Sequence, residues 1–245
     1  MSPLLANIAL SALDDHFVQQ WQQQMATDYQ RAKRKRAGLA NWRLVRYADD
    51  FVVMVSGERH HAEALREEVA AVLAPLGLRL APEKTRVVHI DEGLDFLGFG
   101  IRRMRKRGTS KHVVYTVPSK KAIQSIKDTV KAKTSRSTLH MAVDELIVSL
   151  GASLRGWATY FRHAVAKDVF GHIDQYAWRR LTKWLRCKHR IGWKQLRRRF
   201  CDRGWRIAYK GTVFTGAASV KVTRYRYRGS TIPTPWTPTP AATIG

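Results

Sequence analysis

The chain has 245 residues, 44% of them apolar, and a formal net charge of +25. That is room for one large domain or two modest ones, each with a real core. No run of about 18 apolar residues occurs, so a membrane-spanning helix is not expected, and Met1-Ser2-Pro3 has no basic leader of the secretory kind.

Ser2-Pro3 predicts a helix start, with Ser as N-cap and Pro in the first turn. Leu4, Leu5, Ile8, Ala12, Leu13, Phe17 and Trp21 recur at helical spacing and predict one buried face, with Asp14 and Asp15 off it. This helix is expected to fade near Met25, and the basic run Arg31 to Arg36 reads as an exposed loop. Arg43 to Tyr47 and Phe51 to Val55 are β-rich on either side of Ala48-Asp49-Asp50, which reads as a hairpin. His60 to Leu76 predicts a helix with Ala64, Val69, Val72 and Leu73 inward, ended by Gly77. Leu78 to Leu80 and Arg86 to Ile90 are short strand candidates, and Leu94 to Ile101 reads as a strand or tight hairpin.

Arg102 to Lys111 is basic and contains Gly108, as a linker or hairpin turn would. Val113 to Val117 predicts a strand, and Ser119 caps a helix reaching about Thr134. A long helix is expected to carry Leu139, Val143, Leu146, Ile147, Leu150, Leu154, Trp157 and Phe161, followed by helices over 169–188 and 193–200. The last 40 or so residues look β-prone and run into a Pro/Thr-rich tail.

Charge divides the chain. Residues 1–100 hold 12 Lys+Arg against 13 Asp+Glu, and the remaining 145 hold 32 against 6. So basic a half repels itself unless a polyanion neutralises it, and nucleic acid fits that role. A solvated charged face or a membrane-surface patch is the plainer alternative. The interleaving of the cations with Trp157, Tyr160, Trp178, Trp184, Trp193 and Trp205 favours nucleic acid. Most of these rings are expected in the core, with a minority free to stack on bases. Cys187 and Cys201 read as free cytosolic thiols, and Cys187 with His189 lacks the paired cysteines of a zinc site.

Two adjacent carboxylates at a hairpin tip repel each other, and a divalent cation reverses that cost. Mg²⁺ takes hard oxygen ligands, often one or two carboxylates completed by substrate phosphates. An ordinary polar turn is the alternative. Context decides between them. "SPLLANI", "RYADDFVV", "GLRLAPEKT" and "LDFLGFGI", in that order, resemble the palm of bacterial group II intron-encoded reverse transcriptases. "LRGWATYFR" and "FGHIDQYAWRRLTKWLRCKH" resemble that family's maturase-specific thumb, and "RYRYRGSTIPTPW" the segment after it.

The resemblance implies an α+β fold: a partial right-hand palm over 1–101, a basic linker or hairpin over 102–118, a helical thumb over 119–205, and a β-prone segment and tail over 206–245. It implies Asp49 and Asp50 as catalytic, metal-binding carboxylates for Mg²⁺. Lys84 would neutralise the incoming triphosphate or protonate pyrophosphate. Tyr47, which also anchors its strand, would contact nucleic acid, and Leu97-Gly98 would form the primer grip. Arg155, Arg179, Arg180, Arg186 and His189 would face RNA or pack the thumb.

The implied activity is RNA-directed DNA polymerase with maturase function. The implied partners are group II intron RNA, a target DNA primer, dNTPs and, as a candidate, a second copy of the chain, in the bacterial cytoplasm. The family's first catalytic Asp and its fingers lie upstream of the Ser-Pro-Leu-Leu stretch, so this chain alone is expected not to polymerise. The alternative is a non-catalytic RNA-binding maturase fragment that assists intron folding. Ala81-Pro82 and Gly151-Ala152 stand where many relatives carry Asn near Pro and Asn-Pro. Neither touches the carboxylate chemistry.

Overall fold

The computed structural model describes residues 3–106 and 108–223. Ser2 and the segment from Arg224 onward, including the RYRYRG stretch and the Pro/Thr-rich tail, lie outside the described residues. The chain is mixed α and β and divides into two compact units. The first comprises Met1–Leu97 with Ile101–Arg105, and the second Gly98–Gly100 with Lys106–Gly245.

The first unit opens with α1 (Pro3–Gln24), α2 (Asp28–Arg36), β1 (Asn41–Tyr47), β2 (Asp50–Ser56) and α3 (Arg59–Leu73). β1 and β2 are antiparallel, in register from Asn41 opposite Ser56 to Tyr47 opposite Asp50, so only Ala48 and Asp49 lie in the loop. Leu10, Leu13, Phe17, Met25, Trp42, Leu65, Val69 and Leu73 form the core of this unit. Phe17 meets Trp42 edge-on at 4.9 Å. His16 and Gln20 of α1 reach Glu68 of α3 at 2.7 and 2.5 Å.

Four sequence expectations are corrected here. The buried stripe of α1 runs through Leu10, Leu13 and Phe17, while Leu4, Leu5 and Ile8 are 68%, 59% and 60% exposed. The first two turns of α1 therefore project past the core that its later turns cover. The basic run 31–36 is helix, not loop, because Thr27 and Gln30 close a capping box and Arg31 pairs with Asp28. On α3 the inward residue is Leu65, and Ala64 is exposed. Residues 78–80 and 86–90 form no strand: the chain turns over 82–84, with the Lys84 and Thr85 N–H groups both donating to the Ala81 carbonyl. Leu78 and Leu80 still pack on the core as apolar anchors.

A 3₁₀ turn over Ala74–Leu76 ends α3, with Gly77 at φ 70. β3 (Leu94–Phe96) and β4 (Phe99–Arg105) follow, joined by Leu97 and Gly98, both at positive φ. That is the backbone signature of a tight two-residue hairpin turn. β4 is the stretch in which the division between the units falls.

The second unit contains β5 (His112–Pro118), α4 (Lys120–Lys133), α5 (Val143–Phe161), α6 (Lys167–His189), α7 (Trp193–Phe200) and the small β6–β7 pair (Ala208–Tyr209, Thr212–Val213). Ser119 accepts from the Ala122 N–H and starts α4 as expected. The long helix begins later than its apolar pattern suggests. A 3₁₀ turn occupies Arg136–Thr138, and Leu139 packs from outside α5. Leu146, Leu150, Leu154, Ile173, Leu181, Leu185, Leu196 and Phe200 are wholly buried and define one continuous core. Burial of that size dominates the stability of a helical unit.

Candidate active site and nucleic-acid surface

The hairpin tip presents Tyr47, Ala48, Asp49 and Asp50, all exposed. Ala48 sits at φ 54, a conformation that costs an L-residue about 1–2 kcal/mol. Such strain persists only when surrounding contacts over-determine it. Arg46 supplies them. Its Nη1 donates to the Ala48 carbonyl at 2.7 Å and to Asn7 Oδ1 at 2.9 Å. Its Nε lies 3.1 and 2.9 Å from the two carboxylate oxygens of Asp14, and Nη2 donates to Oδ2 as well. The Asp14 carboxylate holds the Arg46 guanidinium above its ordinary pKa, against the opposing effect of burial. Two turns of α1 thus fix the tip through one side chain.

Asp49 and Asp50 themselves have no ion-pair partner among the described residues. Asp50 opens β2 opposite Tyr47, and Asp49 is the second loop residue. Two adjacent, unneutralised carboxylates fit the usual donor set of a Mg²⁺ that completes its sphere with water and substrate phosphates. No group of three or more His, Cys, Asp or Glu side chains converges on one point among the described residues. Lys84 is exposed in the turn after Pro82, and no hydrogen bond or ion pair joins it to either aspartate among the described residues.

Leu97 and Gly98 are half-buried at the β3–β4 turn. The Gly98 carbonyl accepts from the Ser119 N–H at 2.8 Å, and a Cβ at Gly98 would stand 3.4 Å from the Phe161 ring.

The basic candidates of the second unit separate into two kinds. Arg155 Nη1 donates to the carbonyl and hydroxyl of Thr215. Arg180 caps α4, donating to the Lys131 and Thr134 carbonyls and to Thr134 Oγ1. His189 turns inward onto Phe200 at 4.9 Å, with Nε2 buried and without a hydrogen-bond partner among the described residues. Burial first, then Arg199 and Lys188, pull its pKa down. Arg179 is exposed and unpaired among the described residues, and the Arg186 guanidinium lies 4.8 Å over the Trp193 ring.

Sequence reasoning missed three features. The Arg46 clamp joins residues 32 apart in the chain, and no local pattern marks it. Asp174 on α6 accepts the N–H groups of Ala217 at 2.6 Å and Ala218 at 2.9 Å and anchors the segment after β7; burial pushes its carboxyl up, against those two bonds. Trp193 and Trp205 are 47% and 42% exposed; the run of tryptophans hid which were core, and only Trp184 among those named from the basic half is fully buried. No described helix is long and apolar enough to cross a membrane.

Two family models match successive parts of the chain. The family model for reverse transcriptase (RNA-dependent DNA polymerase) matches residues 1–101, and the model for the group II intron, maturase-specific domain matches residues 123–205. Protein YkfC of Escherichia coli K12 is 37% identical over 50% of this chain and 36% of its own length. The group II intron-encoded protein LtrA of Lactococcus lactis subsp. cremoris is 37% identical over 27% of this chain and 11% of its own. The chain thus spans about a third of the first relative and about a tenth of the second. With a reverse transcriptase region followed by a maturase-specific region in one polypeptide, the chain belongs to the group II intron-encoded reverse transcriptase and maturase family.

Proposed function

We propose that the first unit is part of a polymerase palm and the second its maturase thumb, serving RNA-directed DNA synthesis on, and folding of, a group II intron RNA. The observation that carries the catalytic reading is the pair of exposed, unneutralised carboxylates at a tip held by Arg46. Asp49 and Asp50 would hold Mg²⁺, which when bound lowers the charge cost of joining a 3′-hydroxyl to a nucleotide triphosphate. Arg46 keeps the two carboxylates oriented. Tyr47, exposed beside them, offers a ring face to the sugar or base of the nucleic acid. Lys84 acts on the triphosphate of an incoming dNTP when substrate is bound, and Leu97-Gly98 supports the primer end.

Two carboxylates are a minimal set for such a site, and no third acidic group joins them among the described residues. The chain by itself is therefore expected to give no primer extension on an RNA template with Mg²⁺. Robust extension, abolished by Asp49→Asn, would overturn that expectation and strengthen the catalytic assignment.

A second reading rests on a separate observation, the 32 basic against 6 acidic residues beyond residue 100. In it the chain binds intron RNA and assists its folding without polymerising. Binding to a group II intron RNA, measured across salt concentrations, tests the part common to both readings. Affinity should fall steeply as salt rises, because each neutralised phosphate releases counterions. Salt-insensitive or absent binding would remove both.

A further inference from the structure

Two indoles of the second unit break the pattern of its packing. Trp184 is 2% exposed, whereas Trp193 at the start of α7 and Trp205 in the turn beyond it are 47% and 42% exposed. Trp178 of α6 lies between them. Its ring is nearly parallel to Trp193, 6.1 Å between centroids at 16°, and meets Trp205 edge-on at 6.4 Å and 65°. The Trp178 Nε1–H donates to the Trp205 carbonyl at 3.1 Å. A guanidinium lies against each outer ring without closing it off from solvent: Arg186 over Trp193 at 4.8 Å and Arg197 over Trp205 at 4.7 Å.

The placement of Trp205 is held against a backbone cost. Its φ is 60, in the left-handed region, which a bulky residue rarely adopts. Asp202 pins the turn. Its Oδ1 accepts the N–H groups of Gly204 and Arg206, both at 2.9 Å, and its Oδ2 accepts Arg206 Nε at 2.7 Å. Those bonds, the Arg206 N–H foremost, hold the Asp202 carboxyl below the usual range.

Charge narrows the choice of partner. Residues 186–206 contain nine basic side chains and one acidic. Of these nine, only Arg206 has a carboxylate partner among the described residues. An unneutralised cationic segment calls for a polyanion, and half-exposed indoles flanked by guanidiniums call for something flat to stack on the surface they leave open. Single-stranded nucleic acid offers both at once, phosphates along the strand and unpaired bases beside them. In a duplex the bases are already stacked, so it would use the cations and leave the rings idle.

We propose that Trp193 and Trp205, backed by Trp178 and flanked by Arg186 and Arg197, form a stacking platform for unpaired bases of RNA. The platform deepens the RNA-binding reading above and rests on it.

The test uses the full chain and a fluorescently labelled single-stranded RNA, compared with a blunt duplex of equal length, by anisotropy. Trp193→Leu and Trp205→Leu keep apolar bulk but remove the π-face. Each should weaken single-strand binding by about 5- to 150-fold, leave duplex binding and the salt dependence nearly unchanged, and be largely rescued by Phe at the same position. Equal losses on both RNAs, no loss on either, or failure of Phe to rescue overturns the platform. So does a shift of the tryptophan-dependent binding to anionic phospholipid vesicles. If the unaltered chain binds neither RNA, the RNA-binding reading itself falls; if it binds both and the tryptophan variants are silent, only the platform does. Should a Leu variant fail to fold, the Phe variants and quenching of tryptophan emission by the single strand, absent with the duplex, decide the matter.

Discussion

Arg46 on β1 and Asp14 on α1 form a forked ion pair, and the same guanidinium holds the Ala48 carbonyl at the hairpin apex. One side chain thus links the opening helix, the strand and the strained loop residue that precedes Asp49. The geometry explains how a tip with two like charges keeps a defined shape although neither carboxylate has an ion-pair partner among the described residues. Arg suits the task because its planar fork spreads five donors over three nitrogens and holds the carboxylate through Nε and Nη2 while Nη1 serves the carbonyl, whereas an ammonium donates from a single atom.

Replacing Arg46 should therefore cost stability even by Lys. Arg46→Lys is expected to lower the unfolding free energy by about 1.5–3 kcal/mol, the range for charge-assisted hydrogen bonds. Urea denaturation of Arg46→Ala, Asp14→Ala and the double variant should show a coupling of about 0.5–3 kcal/mol. Strict additivity would mean that the pair does not act as a clamp.

Gly216 tests the Asp174 anchor. A Cβ at residue 216 would fall 2.1 Å from Asp174 Oδ1, at a backbone φ of −99 that any residue tolerates. The clash must displace the carboxylate from the Ala217 and Ala218 N–H groups. Gly216→Ala should lower stability by about 2–4 kcal/mol through overpacking and lost hydrogen bonds. A thermal midpoint equal to that of the unaltered chain would show that the anchor is slack.

His189 sets a pH dependence. Its folded-state pKa is lowered, chiefly by burial, so below about pH 6.5 the unfolded chain takes up a proton that the folded chain refuses. The unfolded state then binds more protons, and stability falls as pH drops from that value toward the lower folded pKa. Above about pH 6.5 the contribution is constant. His189→Gln should flatten this part of the stability profile measured by denaturant titration between pH 5 and 7.5, a window set about the ordinary imidazole value. An unchanged slope would place the sensitivity elsewhere.

Several parts of this molecule could be read from its residues and others could not. The β1–β2 hairpin was legible because β-branched and aromatic runs flank a short polar break, and α4 because Ser119 is a good cap. Helix α2 was not, since a run of Lys and Arg resembles a solvated loop until Thr27 and Gln30 are recognised as a capping box. Residues 78–80 and 86–90 carry strand-like composition but form no strand among the described residues, although the Ile90 carbonyl accepts the Arg103 N–H of β4; composition alone did not decide them. At the candidate site, the Asp49–Asp50 doublet stands out in the sequence as two adjacent carboxylates in a polar break. The Arg46 clamp did not, because its partners lie in another element. Among the tryptophans, sequence could not say that Trp184 is core while Trp193 and Trp205 face outward, since all three sit among basic residues and composition alone does not separate them.

The most direct measurement is where a divalent ion binds. Titrating Mn²⁺ as a paramagnetic stand-in for Mg²⁺ into the isotope-labelled chain should broaden the backbone amide signals of residues 47–51 first. Asp49→Asn and Asp50→Asn should each reduce that broadening, and excess Mg²⁺ should reverse it. Broadening centred on another part of the chain, or unchanged in both variants, would contradict a metal role for the hairpin tip.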